Sequence, residues 1–535
     1  MLNNFKISSR KLIFILSLYF GFVLNIAFFK TIYLNFPINN ITQFLCIFFL
    51  TLIVPIPIWV FFNIILTKHT IKPLCSILLI ISSFTNYIMI KMGVYIDRNM
   101  MRNVFETDIR EASELITLPA LICVLIFGII PAILICKSKI EFSSFKSECL
   151  KRLCSIGGSL LIMIIYLVFF GGLLIPFGRN HSEIKSQYNT LNYIFNTIKH
   201  IRKTLKTPKN FLILDENPVS SLSKDNIHVF TLVVGEAARA QNFSLYGYEK
   251  ETNPLLKNEE NLLTIPDATS CGTATAYSVP CMFSPKERSK FNTDNAKYEE
   301  NLLDIVKKAG LDVIWIENDS GCKGVCQRVQ TYDVVKIGNN KKCFSDYCQD
   351  DALLDQFKSV LENITRNTVI VLHTMGSHGP AYFKRYPKEF EKFTPTCDTA
   401  NIQNCAKEEL VNTYDNTILY TDYIISNAIN YLKSYKDYET SLIYVSDHGG
   451  SLGEKGLYLH GLPYKIAPKE QTNIPFIMWF SENALKNSNI DFECLKNKNW
   501  QNISHDNLFH LVMGMTKTES KLYDKNLDML LDCKK

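Results

Sequence analysis

The sequence predicts a two-part molecule: an N-terminal bundle of five membrane-spanning helices, then an α/β domain outside the cytoplasm. Three observations carry this. Five apolar runs, each long enough to cross a bilayer, fall before residue 180. Charge divides at the same place, with 16 basic against 7 acidic residues in 1–180 and 41 against 44 in the remainder. Beyond residue 226, short β-branched runs alternate with helical patterns.

The spans are expected at Leu12–Leu34, Phe44–Leu66, Ile71–Ile90, Leu118–Ile135 and Leu153–Pro176. A single such run also suits a buried core helix, but five in succession do not. The first run is too long for a signal-peptide core and has no small-x-small cleavage site, so it reads as an anchor. Lys6, Arg10 and Lys11 precede the first span, and Lys68 and Lys72 flank the second loop. Lys137, Lys139, Lys146, Lys151 and Arg152 fill the fourth. Positive loops stay in the cytoplasm, so an odd number of spans delivers everything after about Phe177 to the far side. The 93–117 loop lies on that side too. The expected domains are 1–178 (spans, with loop 93–117), 179–225 (linker) and 226–535 (α/β domain). Within the linker, Ile184, Tyr188, Leu191, Ile194, Ile198, Ile201 and Leu205 form one apolar helical face. It suits either an interfacial helix or one packed on the α/β domain.

Six cysteines in the membrane half follow no pairing pattern. In the second half four close pairs stand out: Cys271 with Cys281, Cys322 with Cys326, Cys343 with Cys348, and Cys397 with Cys405. Cys494 and Cys533 offer a fifth. Zinc binding would require a consistent C-x₂-C geometry that is missing. Disulfides in an oxidising compartment fit better and agree with the charge argument. No basic cluster lies outside the loops between apolar runs, which argues against nucleic-acid binding. An aromatic content of 12% excludes disorder.

Strands are expected at Ile227–Val234, Asp312–Glu317, Thr368–His373, Leu442–Ser446 and Pro475–Phe480. Helices are expected at Tyr298–Lys308, Ala352–Thr365, Leu410–Lys433 and His505–Gly514. Strands apolar on both faces and separated by helices predict a parallel sheet, with ligands beyond the strands' carboxyl ends. Those ends carry Val234-Gly235-Glu236, His373-Thr374-Met375-Gly376-Ser377-His378 and Ser446-Asp447-His448, with His460 further on. One Asp-His pair after a strand is commonly a loop cap, and one histidine is commonly structural. Four histidines with a Glu and an Asp at one edge favour a zinc-type site. A nucleophile is offered by Ser270–Cys281, where local sequence leaves Thr273, Thr275 and Ser278 as equal candidates.

SCGTATAYSVPCMFS resembles the nucleophile segment of bacterial phosphoethanolamine transferases, the lipid A-modifying and mobile colistin-resistance enzymes. VVGEAARAQNFSLYGY, SGCKGVC, HTMGSHGPAYFKRYP, VSDHGGSLGEKGLYLHGLPYKIAP and IDRNMMRNVFETDIREASEL agree with it. The resemblance covers nearly the whole chain and implies an alkaline phosphatase/sulfatase-like periplasmic domain on an inner-membrane anchor. It implies Thr275 as nucleophile and Glu236, Thr275, Asp447 and His448 as ligands of a catalytic zinc. His378 and His460 match residues that bind substrate phosphate or a second zinc, and Lys323 a lysine near the phosphate. Asn103, Thr107 and Glu111 match contacts to the ethanolamine headgroup, and their i, i+4, i+8 spacing places them on one helical face. The implied donor is phosphatidylethanolamine, the acceptor lipid A, and the surroundings membrane lipid; a monomer is expected. The implied outcome is a less anionic surface and resistance to polymyxin-type peptides. Competing acceptors are a core sugar, a periplasmic glucan or a surface protein. Glycerol-phosphate transfer is disfavoured by the Cys271–Cys281 pair, and a non-enzymatic membrane receptor by the complete ligand set.

Overall fold

The computed structural model describes residues 6–106, 109–181, 184–205, 210–338, 342–344 and 347–534. Two compact units emerge: Met1–Met101 with Ile116–Lys206, and Arg102–Leu115 with Thr207–Lys535. The stretch Arg102–Leu115 groups with the second unit although spans flank it on both sides. The amphipathic helix, observed at Leu191–Thr204, groups with the first.

The first unit holds five helical segments long and apolar enough to span a membrane: Ser9–Asn35, Ile41–Ile65, Ile71–Met92, Leu118–Lys137 and Phe145–Asn180. Buried polar groups lock it together, because a hydrogen bond formed away from water has no competing solvent partner. Asn189 donates to the carbonyls of Leu24 and Ser82, each at 2.8 Å, and its own N–H donates to Asn25 Oδ1 at 2.7 Å. That knot sits where a short 3₁₀ turn, Val23–Asn25, interrupts the first span. Asn196 donates to the Ile96 carbonyl, and the Tyr193 hydroxyl meets Ser82 at 3.1 Å. The amphipathic helix is therefore held by hydrogen bonds within this unit.

The second unit is built on seven strands: β1 (His228–Gly235), β2 (Leu262–Ile265), β3 (Asp312–Glu317), β4 (Gln330–Asp333), β5 (Thr368–His373), β6 (Glu439–Ser446) and β7 (Phe476–Phe480). Their order is β2-β7-β6-β1-β5-β3-β4. β6, β1, β5, β3 and β4 run parallel, whereas β7 is antiparallel to both its neighbours, which corrects the all-parallel expectation. Helices cover both faces. Leu232 and Val234 of β1 face a core shared with α1 (Thr275–Met282), α2 (Leu302–Lys308) and α5 (Leu508–Met515). Val229 and Val233 face the other core, with α3 (Asp351–Leu361) and α4 (Lys407–Lys433). Alternation along a fully buried strand produces this three-layer arrangement.

Five disulfides staple the second unit. Cys271 is bonded to Cys281, Cys322 to Cys326, Cys343 to Cys348, and Cys397 to Cys405, each to the neighbour expected from its spacing. The fifth joins Cys494 to Cys533. Cys348 is buried in the core beneath α3, and the bond to Cys405 closes the loop that leads into α4. Six free cysteines lie in the first unit.

Candidate active site

The parallel strands end together, so residues just after β1, β3, β5 and β6 converge at one edge of the sheet. Glu236 follows β1 and is fully buried. The next residue, Ala237, adopts a left-handed φ of 54°, unfavourable for a residue with a side chain. That turn is held because the Ala237 N–H donates to Asp447 Oδ1 at 3.2 Å and the Ala238 N–H to Ser446 Oγ at 2.9 Å. The loop after β5 passes close beneath: a Cβ on Gly376, at φ +50°, would lie 2.8 Å from the Glu236 carbonyl. Only glycine fits there.

Thr275 is the first residue of α1, where unpaired backbone N–H groups favour an anion. Its hydroxyl donates to Glu236 Oε2 at 3.0 Å and lies 3.3 Å from His448 Nε2. The other candidates are placed differently. The Thr273 hydroxyl donates to the Leu462 carbonyl at 2.6 Å, and Ser278 Oγ is buried without a hydrogen-bond partner among the described residues.

His448 Nδ1 donates to the Gly449 carbonyl at 2.8 Å, which turns the Nε2 lone pair inward. Nε2 then stands 3.3 Å from Asp447 Oδ2 and 3.6 Å from Glu236 Oε1, all three residues wholly buried. Asp447 Oδ2 has no hydrogen-bond partner among the described residues. Burial pushes the Asp447 carboxyl upward and holds His448 down, to about 4, so no proton on the imidazole neutralises the carboxylates. The raised Asp447 carboxyl has the same cause: buried acceptor oxygens facing a neutral imidazole favour a positive species among them, a proton or a metal cation. Two carboxylates, one imidazole and a hydroxyl suit zinc in donor type and number. The residues present therefore fit the metal.

His460 extends this cluster. Its ligand atom lies within 4.8 Å of those of Glu236 and His448, and its ring stacks on His448 with centroids 4.2 Å apart. His378 lies 6.0 Å from His460, ring to ring. Burial above all keeps both near pKa 3, hence neutral at neutral pH. Lys323 occupies a left-handed turn (φ 51°) framed by the Cys322–Cys326 disulfide. Its Nζ donates to Ser320 Oγ at 2.6 Å.

A second buried group joins His373, one of the four strand-end histidines, to two carboxylates that sequence reasoning missed, Glu317 and Asp319. Glu317, at the end of β3, accepts from the Trp315 indole N–H at 2.8 Å and holds His373 Nδ1 at 2.9 Å. Burial alone would depress His373, but Glu317, then Asp319 and Asp447, raise it to about 9. Burial would raise Asp319; His373, Lys323 and His378 together draw it down instead. Carboxylates at the ends of adjacent strands were the available signal. His505 was also missed: it takes the Cys271 N–H on Nδ1 at 3.0 Å and gives Nε2–H to the Ser446 carbonyl at 2.9 Å. Of the headgroup candidates, Asn103 lies in helix Arg98–Glu106, while Thr107 and the Glu111 side chain lie outside the described residues.

Two family models match the chain: Sulfatase over residues 228–518 and Phosphoethanolamine transferase EptA/EptB over 56–205. Phosphoethanolamine transferase EptA of Escherichia coli K12 is 38% identical over 528 residues, covering 97% of this chain and 95% of that protein. Phosphatidylethanolamine transferase Mcr-1 of Escherichia coli is 35% identical over 427 residues, covering 77% and 79%. The solved integral membrane lipooligosaccharide phosphoethanolamine transferase A of Neisseria meningitidis superposes with a TM-score of 0.96 at 37% identity. The match covers 99% of this chain and 100% of that one. Five membrane spans and a disulfide-bonded sulfatase-like half accord with an inner-membrane protein whose catalytic domain is periplasmic. By its family models, its near-full-length relatives and the fold that carries this site, the chain belongs to the phosphoethanolamine transferases.

Proposed function

We propose that the protein transfers phosphoethanolamine from phosphatidylethanolamine to a phosphate of lipid A through a phosphothreonine intermediate at Thr275. The observation that carries this reading is the Thr275 hydroxyl at a helix N-terminus, hydrogen-bonded to Glu236 and facing His448. A zinc ion held by Glu236, Thr275, Asp447 and His448 would supply Lewis acidity, lowering the pKa of the hydroxyl. Glu236 Oε2 accepts a hydrogen bond from the Thr275 hydroxyl and so aims Oγ1. In the first step Oγ1 bonds to phosphorus, the bond to the glycerol oxygen breaks, and diacylglycerol leaves with a proton. In the second, an oxygen of a singly protonated lipid A phosphate bonds to phosphorus as the Oγ1–phosphorus bond breaks, and the proton of that phosphate passes to Oγ1, restoring the Thr275 hydroxyl.

His378, His460 and Lys323 line the phosphate side, where positioned donors stabilise charge that grows in the transition state. Because burial keeps the two histidines neutral, each offers an N–H or a lone pair rather than a charge. Asn103, Thr107 and Glu111 would receive the ethanolamine ammonium. Both substrates are lipids, which accounts for a hydrolase-like site carried on five spans. The lipooligosaccharide named for the Neisseria meningitidis relative supports a lipid A-type acceptor. Adding a cationic group would lower surface negative charge and weaken binding of polymyxin-type peptides.

Mass spectrometry of lipid A from cells with and without the protein tests this. One phosphoethanolamine is expected on lipid A with the wild type and none with Thr275→Ala. Unmodified lipid A beside a newly modified glycan or surface protein would redirect the acceptor assignment.

A further inference from the structure

Ion pairs join the 102–115 stretch to the sheet-bearing part of its unit near both ends. Toward the start, Arg102 meets Asp294 at 2.6 Å and Lys297 meets Glu106 at 2.8 Å. At the far end, Arg385 Nη2 donates to both carboxylate oxygens of Glu114, each at 2.6 Å. The settings differ. The Lys297 side chain is 46% exposed, where water weakens a pair. The Arg385 and Glu114 side chains are 3% and 11% exposed, and a charge-assisted bond shielded from water fixes both groups in place.

Arg385 makes another contact that the pairing alone does not need. Its Nε donates to the backbone carbonyl of His378 at 2.7 Å. The 3₁₀ turn Tyr382–Lys384 folds the chain back so that one planar guanidinium spans Glu114 on one side and the His378 peptide on the other. A guanidinium is rigid, so tilting one edge moves the other.

We propose that Arg385 is a positioning residue for the transfer reaction, linking the seating of the 102–115 stretch, through Glu114, to the placement of His378. This rests on the reading of His378 as a phosphate-side group. A donor that is an ethanolamine-bearing phospholipid would have its ammonium at the 102–115 stretch and its phosphorus at Thr275. The Glu114–Arg385–His378 chain ties these two ends to a common register. With Glu114 disengaged, the His378 peptide loses its fixed partner and the ring leaves its alignment on the phosphate oxygens. The bond-forming step then slows while donor binding persists.

Full-length enzyme on phosphatidylethanolamine vesicles, assayed for kcat and KM, distinguishes this from a merely structural anchor. The variants are Glu114→Gln, Arg385→Lys, His378→Ala and the Glu114→Gln/His378→Ala double. Glu114→Gln keeps the shape but removes the charge; Arg385→Lys keeps the charge but loses the fork. Each is expected to lower kcat about 10- to 100-fold, the scale of a misplacement near 1 Å, with KM changed less than about twofold. Residues acting as one unit are non-additive, so Glu114→Gln should cost less than about twofold further once His378 is alanine. Equal losses in both backgrounds, or wild-type kcat for Glu114→Gln, overturn the proposal and leave the role of His378 intact. Wild-type kcat for His378→Ala alone overturns the phosphate-side reading and this inference with it. If Glu114→Gln is not recovered folded, Glu114→Asp, one methylene shorter and still charged, carries the same comparison.

Discussion

His505→Ala should loosen the nucleophile segment and the Asp447-His448 loop together, because one buried imidazole is hydrogen-bonded to both. His505 is 1% exposed, accepts from the Cys271 N–H and donates to the Ser446 carbonyl, which precedes Asp447. Removing a buried partner costs roughly 1–3 kcal/mol for each group left unsatisfied, so two such groups give about 2–6 kcal/mol. Against a domain stability of about 5–15 kcal/mol this is large. The titration adds an independent check. Burial holds His505 down to about 4, whereas an unfolded histidine titrates near 6.5. Above about 6.5 the imidazole is neutral in both states and its contribution is fully present. As pH falls toward 4, the unfolded chain takes up a proton that the folded site refuses, and that contribution is lost. At pH 5, about 1.5 units below the unfolded value, the loss is about 2 kcal/mol at 1.36 kcal/mol per unit. Thermal unfolding of full-length wild type and His505→Ala, at pH 7.5 and pH 5, reads both effects. The variant should melt lower at pH 7.5 and the gap should narrow at pH 5. A variant as stable as wild type at pH 7.5, or a gap of equal size at both pH values, refutes the reasoning.

Gly376→Ala should lower transfer by at least about tenfold, because a left-handed alanine costs about 1–2 kcal/mol and its Cβ would press on the Glu236 backbone; wild-type kinetics would show that Glu236 tolerates displacement. Reduction with dithiothreitol should inactivate the enzyme even with zinc present, since each disulfide contributes about 2–4 kcal/mol and Cys271–Cys281 frames Thr275; activity and thermal stability unchanged by full reduction would contradict this. The fragment Arg179–Lys535 should retain zinc and hydrolyse a soluble phosphodiester yet transfer little to lipid A on vesicles, having lost both the spans and the 102–115 stretch. Glu111→Ala in the full-length protein separates these causes, and normal transfer by it would exclude Glu111 as a headgroup contact.

Five strands were legible because each is apolar on both faces, the mark of a strand buried in a layered fold. Leu262–Ile265 and Gln330–Asp333 were not: both are four-residue strands at sheet edges, and the second reads Gln-Thr-Tyr-Asp, with two exposed residues. The antiparallel direction of Phe476–Phe480 leaves no trace in five consecutive apolar residues, since direction is set by connections and not by local pattern. Glu236, Asp447 and His448 could be found because they directly follow strands. Thr273 and Thr275 are indistinguishable locally, and only the fold turns one hydroxyl toward Leu462 and the other toward Glu236. His505 and Arg385 act through partners 234 and 271 positions away, a separation no motif spans.

The covalent role of Thr275 is tested most directly by trapping the intermediate. Full-length enzyme is mixed with phosphatidylethanolamine vesicles without lipid A, quenched in acid, digested and mapped by mass spectrometry. One phosphoethanolamine on Thr275 is expected, with an equal amount of diacylglycerol released and both signals lost in Thr275→Ala. Modification of Thr273 or Ser278 instead, or undiminished diacylglycerol release by Thr275→Ala, would contradict the assignment.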